Sequence, residues 1–272
     1  MLDIFIAAAG RLSFVYAEYG TLELDGHAVV LHQAETFTHI PVSSTSVIMV
    51  MPGTVVTHAA VRVCAEEGCL LLWVGEHGVR CYASGNPGRN SDALLRQASL
   101  ALNPNTRLHA AKAIFREMFD EEAPQARSVD QLRGMEGARV RALYQKIASE
   151  HGIQWKGRDQ KSALSDPLNQ AISGANAALY GITEAVILAM GYAPSIGVVH
   201  SGDPRSFVFD IADCLKFKTV VPMAMRVYSE STEGIEGRIR RSCRDLFQEK
   251  KMAKSIVDVI DRVIPHAKAF SL

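Results

Sequence analysis

Apolar residues fall at strand spacing through the first 85 positions and at helical spacing through most of the rest. Residues 12–19 form an extended run rich in aromatic and β-branched side chains. Residues 21–24 and 27–31 flank Asp25-Gly26, a two-residue hairpin signal. Two short strands follow, 38–41 and 47–51, the second closed by Pro52-Gly53. The run 47–51 is apolar without alternation, which predicts a strand buried on both faces. A helix is expected over 58–67, ended by Gly68 in the left-handed conformation that glycine tolerates. Residues 70–74 and 79–83 then pair as a hairpin around 75–78.

The pattern changes at 84–90, a Gly/Pro/Asn stretch that reads as a linker. Beyond it, helices are expected at 91–101, 107–119, 129–150, 169–190, 211–217, 221–228 and 238–263. Ser128 with Gln131 forms a capping box at the head of the third. Residues 155–167 are polar and read as a mobile loop. The fold class is therefore α+β: a β-rich N-terminal domain (1–85), a linker (86–90) and an α-helical domain (91–272). At 272 residues there is room for two domains, each with its own core.

Composition refines this picture. With 48% hydrophobic and 21% charged residues the chain reads as a soluble globular protein. Its apolar opening, 1–9, lacks a basic leader and runs at once into Arg11, so it is not read as a signal peptide. The stretch 169–193 carries a single charge, Glu184, but Gly174, Asn176, Gly181 and Gly191 mark it as a buried core helix rather than a membrane span. Five cysteines, an odd number without a CxxC pair, suggest reduced thiols and a cytoplasmic setting. The net charge is zero, yet residues 1–89 carry −4 and the remainder +4. That asymmetry is compatible with phosphate binding by the second half.

The chemistry concentrates in 197–216, where His200, Asp203, Asp210 and Asp213 stand on an apolar background. Asp210 and Asp213, three apart, share a helix face. Glu136 heads the apolar stripe Val140, Leu143, Tyr144, Ile147, so its carboxylate points toward a core and needs a metal, a basic residue or a set of donors. Arg133, Arg139 and Arg141 are the nearby candidates for a plain ion pair. His200 could equally be a hydrogen-bonded structural residue, and Asp210 an acid favoured by a helix dipole. Asp203, before Pro204, reads as a turn residue. Glu, His and Asp together are a ligand set suited to Mg²⁺ or Mn²⁺. Arg238, Arg240, Arg241 and Arg244, continued by Lys250, Lys251 and Lys254, form either a solvated face or a phosphate track. Tyr19 is either core or, if exposed, a platform for a base. No G-x-S-x-G elbow, Walker A loop, H-E-x-x-H or paired CxxC is present.

An ordered set of segments carries a more specific signal. These are Tyr19-Gly20, His58-Ala59-Ala60-Val61-Arg62, Trp73-Val74-Gly75-Glu76, Gly78-Val79-Arg80 and Tyr82-Ala83-Ser84-Gly85. Further on stand residues 128–137 (SVDQLRGMEG), Leu179-Tyr180-Gly181, Gly191-Tyr192-Ala193-Pro194, His200-Ser201-Gly202, Asp210-Ile211-Ala212-Asp213 and Cys243-Arg244-Asp245. In these the chain resembles the CRISPR-associated integrase of spacer acquisition, in its type I-E branch. The resemblance implies a β-rich dimerisation domain before a helical catalytic domain, and homodimers that clamp a dimer of a small companion protein. It places Mg²⁺ or Mn²⁺ ligands on Glu136, His200 and Asp213, with Asp210 as a supporting catalytic acid. It puts Tyr19 against the end of a DNA duplex, and Arg80, Arg241 and Arg244 at DNA or active-site contacts. The implied activity inserts prespacer DNA into the CRISPR repeat by transesterification, the spacer 3′-hydroxyl displacing a 3′-oxygen. Two other readings stand beside it: a catalytically silent DNA-binding or assembly subunit, and a general branched-DNA nuclease. Two departures stand out. Relatives in this branch can carry a Pro-rich tail that holds the companion and reads the flanking motif. This chain stops at Phe270-Ser271-Leu272, which puts both roles in question or marks a truncation. Asp203 also stands where relatives can have lysine, an expectation of weaker DNA affinity at that turn.

Overall fold

The computed structural model describes residues 4–6, 13–26, 28–75, 81–85, 91–158 and 166–265. Strands come first: β1 (Ile4–Ile6), β2 (Ser13–Ala17), β3 (Gly20–Asp25), β4 (Ala28–His32), β5 (Phe37–Ile40), β6 (Val47–Val50) and β7 (Thr54–Val56). Helix α1 (His58–Glu67) and strands β8 (Leu70–Val74) and β9 (Cys81–Gly85) complete the strand-rich part. Helices α2 (Asp92–Leu102), α3 (Pro104–Phe119), α4 (Val129–Glu150), α5 (Pro167–Ala189), α6 (Ser206–Lys216), α7 (Val220–Glu230), α8 (Ile235–Glu249) and α9 (Met252–Val263) make up the rest. The α+β class read from the pattern is the class observed.

The strands form two sheets, ordered β1-β2-β6-β8-β9 and β5-β4-β3-β7. In the larger, β2, β6 and β8 run parallel, with α1 as the crossover between β6 and β8, and β1 and β9 add antiparallel edges. The expected hairpin is present between β3 and β4, closing on the pair Asp25 and Ala28. Strand alternation sorts the large sheet's side chains between two environments. Phe14, Val47, Met49, Leu70, Leu72 and Val74 face the helices, whereas Val15, Ala17, Ile48, Val50 and Leu71 face the second sheet and α1. All four residues of β6 are buried, as its unbroken apolar run predicted. The strand-rich part thus keeps a core of its own between the two sheets and α1, while the larger core runs from the inner face of the large sheet through the helices.

Local chemistry explains where elements begin. Gly68 adopts φ 71° and closes α1 with bonds back to Ala65 and Cys64. Asn103 Oδ1 accepts from the Asn105 and Thr106 N–H groups and Pro104 takes the first helical position, so α3 starts three residues before the predicted 107. Ser128 Oγ accepts from Gln131 N–H, and Gln131 Oε1 accepts from Arg127 N–H, a capping box displaced by one residue. Three expectations are corrected. The run 12–19 breaks at Tyr19, which adopts φ 47°. The helix expected over 238–263 is two, because Lys251 adopts φ 47° between α8 and α9. The helix expected from 211 begins at Ser206, where Ser206 Oγ bonds Asp203 O, so Asp210 lies inside it. Strands β1 and β7, three residues each, are too short to register as periodicity. The linker 86–90, the turn 75–78 beyond Gly75, Val79 and Arg80 of the predicted strand 79–83, and residues 159–165 of the polar loop lie outside the described residues.

Helix α5 runs through the middle of the helical part and is buried along most of its length. Among the described residues it is the one helix long and apolar enough to cross a membrane, but 67% of its most apolar window is covered inside the protein. The two-faced burial of the large sheet has a measurable consequence. Leu71 and Leu72 are neighbours on β8 that point into different packings, and both are buried. Leu71→Ala and Leu72→Ala should each cost about 2–5 kcal/mol in urea unfolding. In a sheet with one wet face, one of the pair would fall within about 0.5 kcal/mol of wild type.

Candidate active site

The segment between α5 and α6 has no regular structure, yet it carries His200. What holds it is Asp210, 1% exposed and in the second turn of α6. Its Oδ2 accepts from the N–H groups of Val198 and Val199, and its Oδ1 accepts from His200 N–H at 2.9 Å. The same Oδ1 lies 2.8 Å from His200 Nδ1. The outer side of the segment is pinned by Arg107, whose Nε donates to Val198 O at 2.7 Å. Gln97 is fully buried; it donates to Ala193 O and Ile196 O and accepts from Ala193 N–H. Gly197 is where this folding-over demands glycine: a Cβ there would lie 2.3 Å from His200 O.

This tether sets the histidine's chemistry. With Nδ1–H given to a carboxylate, the Nε2 lone pair is the one left for a ligand. The Asp210 hydrogen bond, working against burial, holds the His200 pKa above its ordinary value, and the charges of Asp210, Asp213 and Glu136 add to the rise. Phe209 lies edge-on to the imidazole with ring centres 5.8 Å apart.

Glu136, on α4, faces the same space. Burial raises its pKa, repulsion from Asp213 adds to this, and His200, Lys216 and Arg133 oppose it. None of the arginines considered as simple partners closes on it: Arg139 pairs instead with Glu121 at 3.3 Å. Asp213, one turn beyond Asp210 on α6, pairs with Lys216 Nζ at 2.7 Å. Burial lowers the Lys216 pKa, but Asp213, Tyr180 and Tyr144 outweigh it and the net shift is upward. Tyr180, from α5, completes the cluster, its phenol pushed up to about 12 by burial and by Asp213.

The structure thus gathers Glu136, His200, Asp210 and Asp213 and divides their work. Asp210 spends both oxygens on the loop and the imidazole. Two carboxylates and an imidazole Nε2 remain, a donor set whose chemistry fits Mg²⁺ or Mn²⁺. Among the described residues no three His, Cys, Asp or Glu side chains stand close enough to coordinate one ion as placed. Lys216 and Tyr180 were missed by sequence reasoning. The signal for Lys216 was a lysine three residues after an acid on an otherwise apolar helix.

The remaining candidates lie apart. Tyr19 is 72% exposed, not core, and its ring lies over Gly53, where a Cβ would come 2.8 Å from Cδ1. Arg241 and Arg244 are exposed on α8, which packs mainly on α5, α7 and α9; Arg244 pairs with Asp245 at 2.9 Å. Arg80 lies outside the described residues. Asp203 accepts from Arg205 N–H at 2.8 Å, in keeping with its reading as a turn residue.

A strand-rich part sharing its core with a helical part that mounts a tethered histidine among acids defines a class of α+β protein with a candidate phosphoryl-transfer site. Residues 14–122 and 117–232 match the family of CRISPR associated protein Cas1, and the chain belongs to that family. It is 48% identical to the CRISPR-associated endonuclease Cas1 of Escherichia coli K12 over 259 residues, 93% of this chain and 85% of that protein. It is 46% identical to the CRISPR-associated endonuclease Cas1 of Geobacter sulfurreducens, with the same coverage. The crystal structure of a TtCas1–DNA complex superposes with a TM-score of 0.84 at 36% identity, covering 94% of this chain and 98% of that one.

Because His200 is raised in the folded state, its pairing with Asp210 stabilises fully below the unfolded value near 6.5. That stability is lost as pH rises through the folded value. The His200 Hε1 resonance in chelator-treated protein should titrate above 6.5, and Asp210→Asn should bring it down. The same variant replaces one accepting carboxylate oxygen with an NH₂ donor that faces N–H donors, costing about 1–3 kcal/mol for each one left unpaired. The gap in melting temperature between wild type and Asp210→Asn should narrow from pH 6 to pH 8.5.

Proposed function

We propose that the chain is a metal-dependent DNA integrase and endonuclease. In this reading it joins the 3′-hydroxyl of a new spacer to a phosphodiester of the CRISPR repeat. The observation that carries the reading is the His200 imidazole, fixed through Nδ1 by Asp210 and coupled electrostatically to Glu136 and Asp213. The endonuclease names of its relatives and the DNA-bound TtCas1 structure support the choice of substrate.

Glu136, His200 and Asp213 would hold Mg²⁺ or Mn²⁺, which when bound polarises the scissile phosphate and offsets charge on its oxygens. In the transesterification the incoming 3′-oxygen forms a bond to phosphorus as the bond to the repeat's 3′-oxygen breaks. One phosphodiester replaces another, so no nucleotide hydrolysis is required. With water as nucleophile the same arrangement cuts. The protein's own contribution is placement. Asp210 fixes the imidazole, the exposed Tyr19 ring offers a stacking surface to a DNA end, and the α8 arginines Arg241 and Arg244 offer charge to the phosphates. Within the proposed assembly, the β-rich residues 1–85 make the homodimer contact, 86–90 link them to the catalytic residues, and a small companion protein joins two dimers in the cytoplasm.

Strand transfer into a supercoiled repeat-bearing plasmid, with prespacer DNA ending in free 3′-hydroxyls and the companion protein present, tests this. Joining should require Mn²⁺ or Mg²⁺, stop with EDTA, and fall to background in Glu136→Ala, His200→Ala and Asp213→Ala. Tight DNA binding without joining in the wild type would favour a silent subunit, and cutting of flaps without joining a branched-DNA nuclease. By fluorescence anisotropy, Tyr19→Ala should weaken binding to duplex ends by about 1–3 kcal/mol, the worth of one base–aromatic stack.

A further inference from the structure

The residue at the centre of the acid cluster that the proposed chemistry leaves unused is Lys216. Its ammonium and the Asp213 carboxylate lie 2.7 Å apart, with side chains only 12% and 8% exposed. Both sit on α6 one turn apart, so the pair is intrinsic to the helix. Asp213 Oδ1 is buried, and Lys216 is the one cation at ion-pairing distance from it among the described residues. Asp213 is also the one carboxylate at ion-pairing distance from Lys216 among the described residues, and the ammonium rests 5.0 Å from the Phe217 ring centre. Glu136 senses the same ammonium. A single buried cation thus neutralises the space shared by the two carboxylates that would take a divalent ion.

We infer that Lys216 competes with the divalent cation for the Asp213 carboxylate, as a tethered counterion that must swing away before the ion can be held. The inference rests on the reading of Glu136 and Asp213 as ligands. A buried carboxylate without a partner is costly, so a resident ammonium keeps the cluster folded until the ion replaces it. The cost is a like-charge contact that any entering cation has to relieve, so the lysine sets an upper limit on metal affinity. Lys216 is on this account a positioning residue, and its removal should strengthen binding, which loss of a merely structural residue would not do.

The test is Mn²⁺ binding to the full chain at fixed pH, followed by the free-ion electron paramagnetic resonance signal, with no DNA present. Lys216→Met, which keeps the stem and removes the charge, should bind Mn²⁺ about tenfold more tightly than wild type. Lys216→Arg should stay close to wild type. Should the methionine variant fail to fold, acylation of wild-type Lys216, read by peptide mass spectrometry, should rise severalfold on saturation with Mn²⁺ as the side chain leaves Asp213. Wild-type binding that Glu136→Gln abolishes but Lys216→Met leaves unchanged or weakens overturns this inference alone, as does Lys216 acylation indifferent to Mn²⁺. Wild-type protein with no Mn²⁺ binding sensitive to Glu136→Gln overturns the metal reading and the inference together.

Discussion

One buried carboxylate organises the site. Asp210 gathers three consecutive backbone N–H groups and the imidazole that follows them, turning a segment without helix or strand into a defined support. Irregular backbone inside a protein is stable only when its polar groups find partners. Here Asp210 supplies them from one side, and Gln97 and Arg107 from the other. Two aspartates three residues apart on α6 thus make different contacts. The one bound to the loop has no capacity left for a ligand, and the one beyond it faces Glu136 and Lys216.

That support depends in turn on the packing beneath it. Helix α6, which carries Asp210, Asp213 and Lys216, buries Phe207, Val208, Ile211 and Ala212 against the helical core. The same core continues without interruption to the inner face of the large sheet. An interior at native packing density is hardly compressible and transmits strain. The strand-rich part is therefore packed against the helices that carry the candidate site through a shared interior.

Much of this was legible in the chain. The switch from strand to helical spacing gave the class, and the unbroken apolar run of β6 gave its two covered faces. The Schellman glycine at 68 and the Ser128 cap set two helix ends correctly. Other features were hidden because their signals are not periodic. Apolar spacing runs straight through Lys251, so the break between α8 and α9 rests on one backbone angle that no residue preference announced. Glu136, His200, Asp210 and Asp213 were legible as residue types, and their convergence required the fold. What each does there was not legible. Asp210 acts through backbone N–H groups ten to twelve residues away, and Lys216 acts by filling a space that sequence does not display.

The two sheets differ in what they permit. All of β6, and all of β8 except the half-buried Trp73, is enclosed, so a change of volume on either side of these strands disturbs an interior. The smaller sheet, by contrast, leaves alternate positions of β5 and β7 open to water. Neutral sequence drift should accumulate on that outer sheet. The inner sheet, whose described residues include none of the candidate site residues, should be held as tightly as the residues around His200, so slow change along β6 would record enclosure and not catalysis.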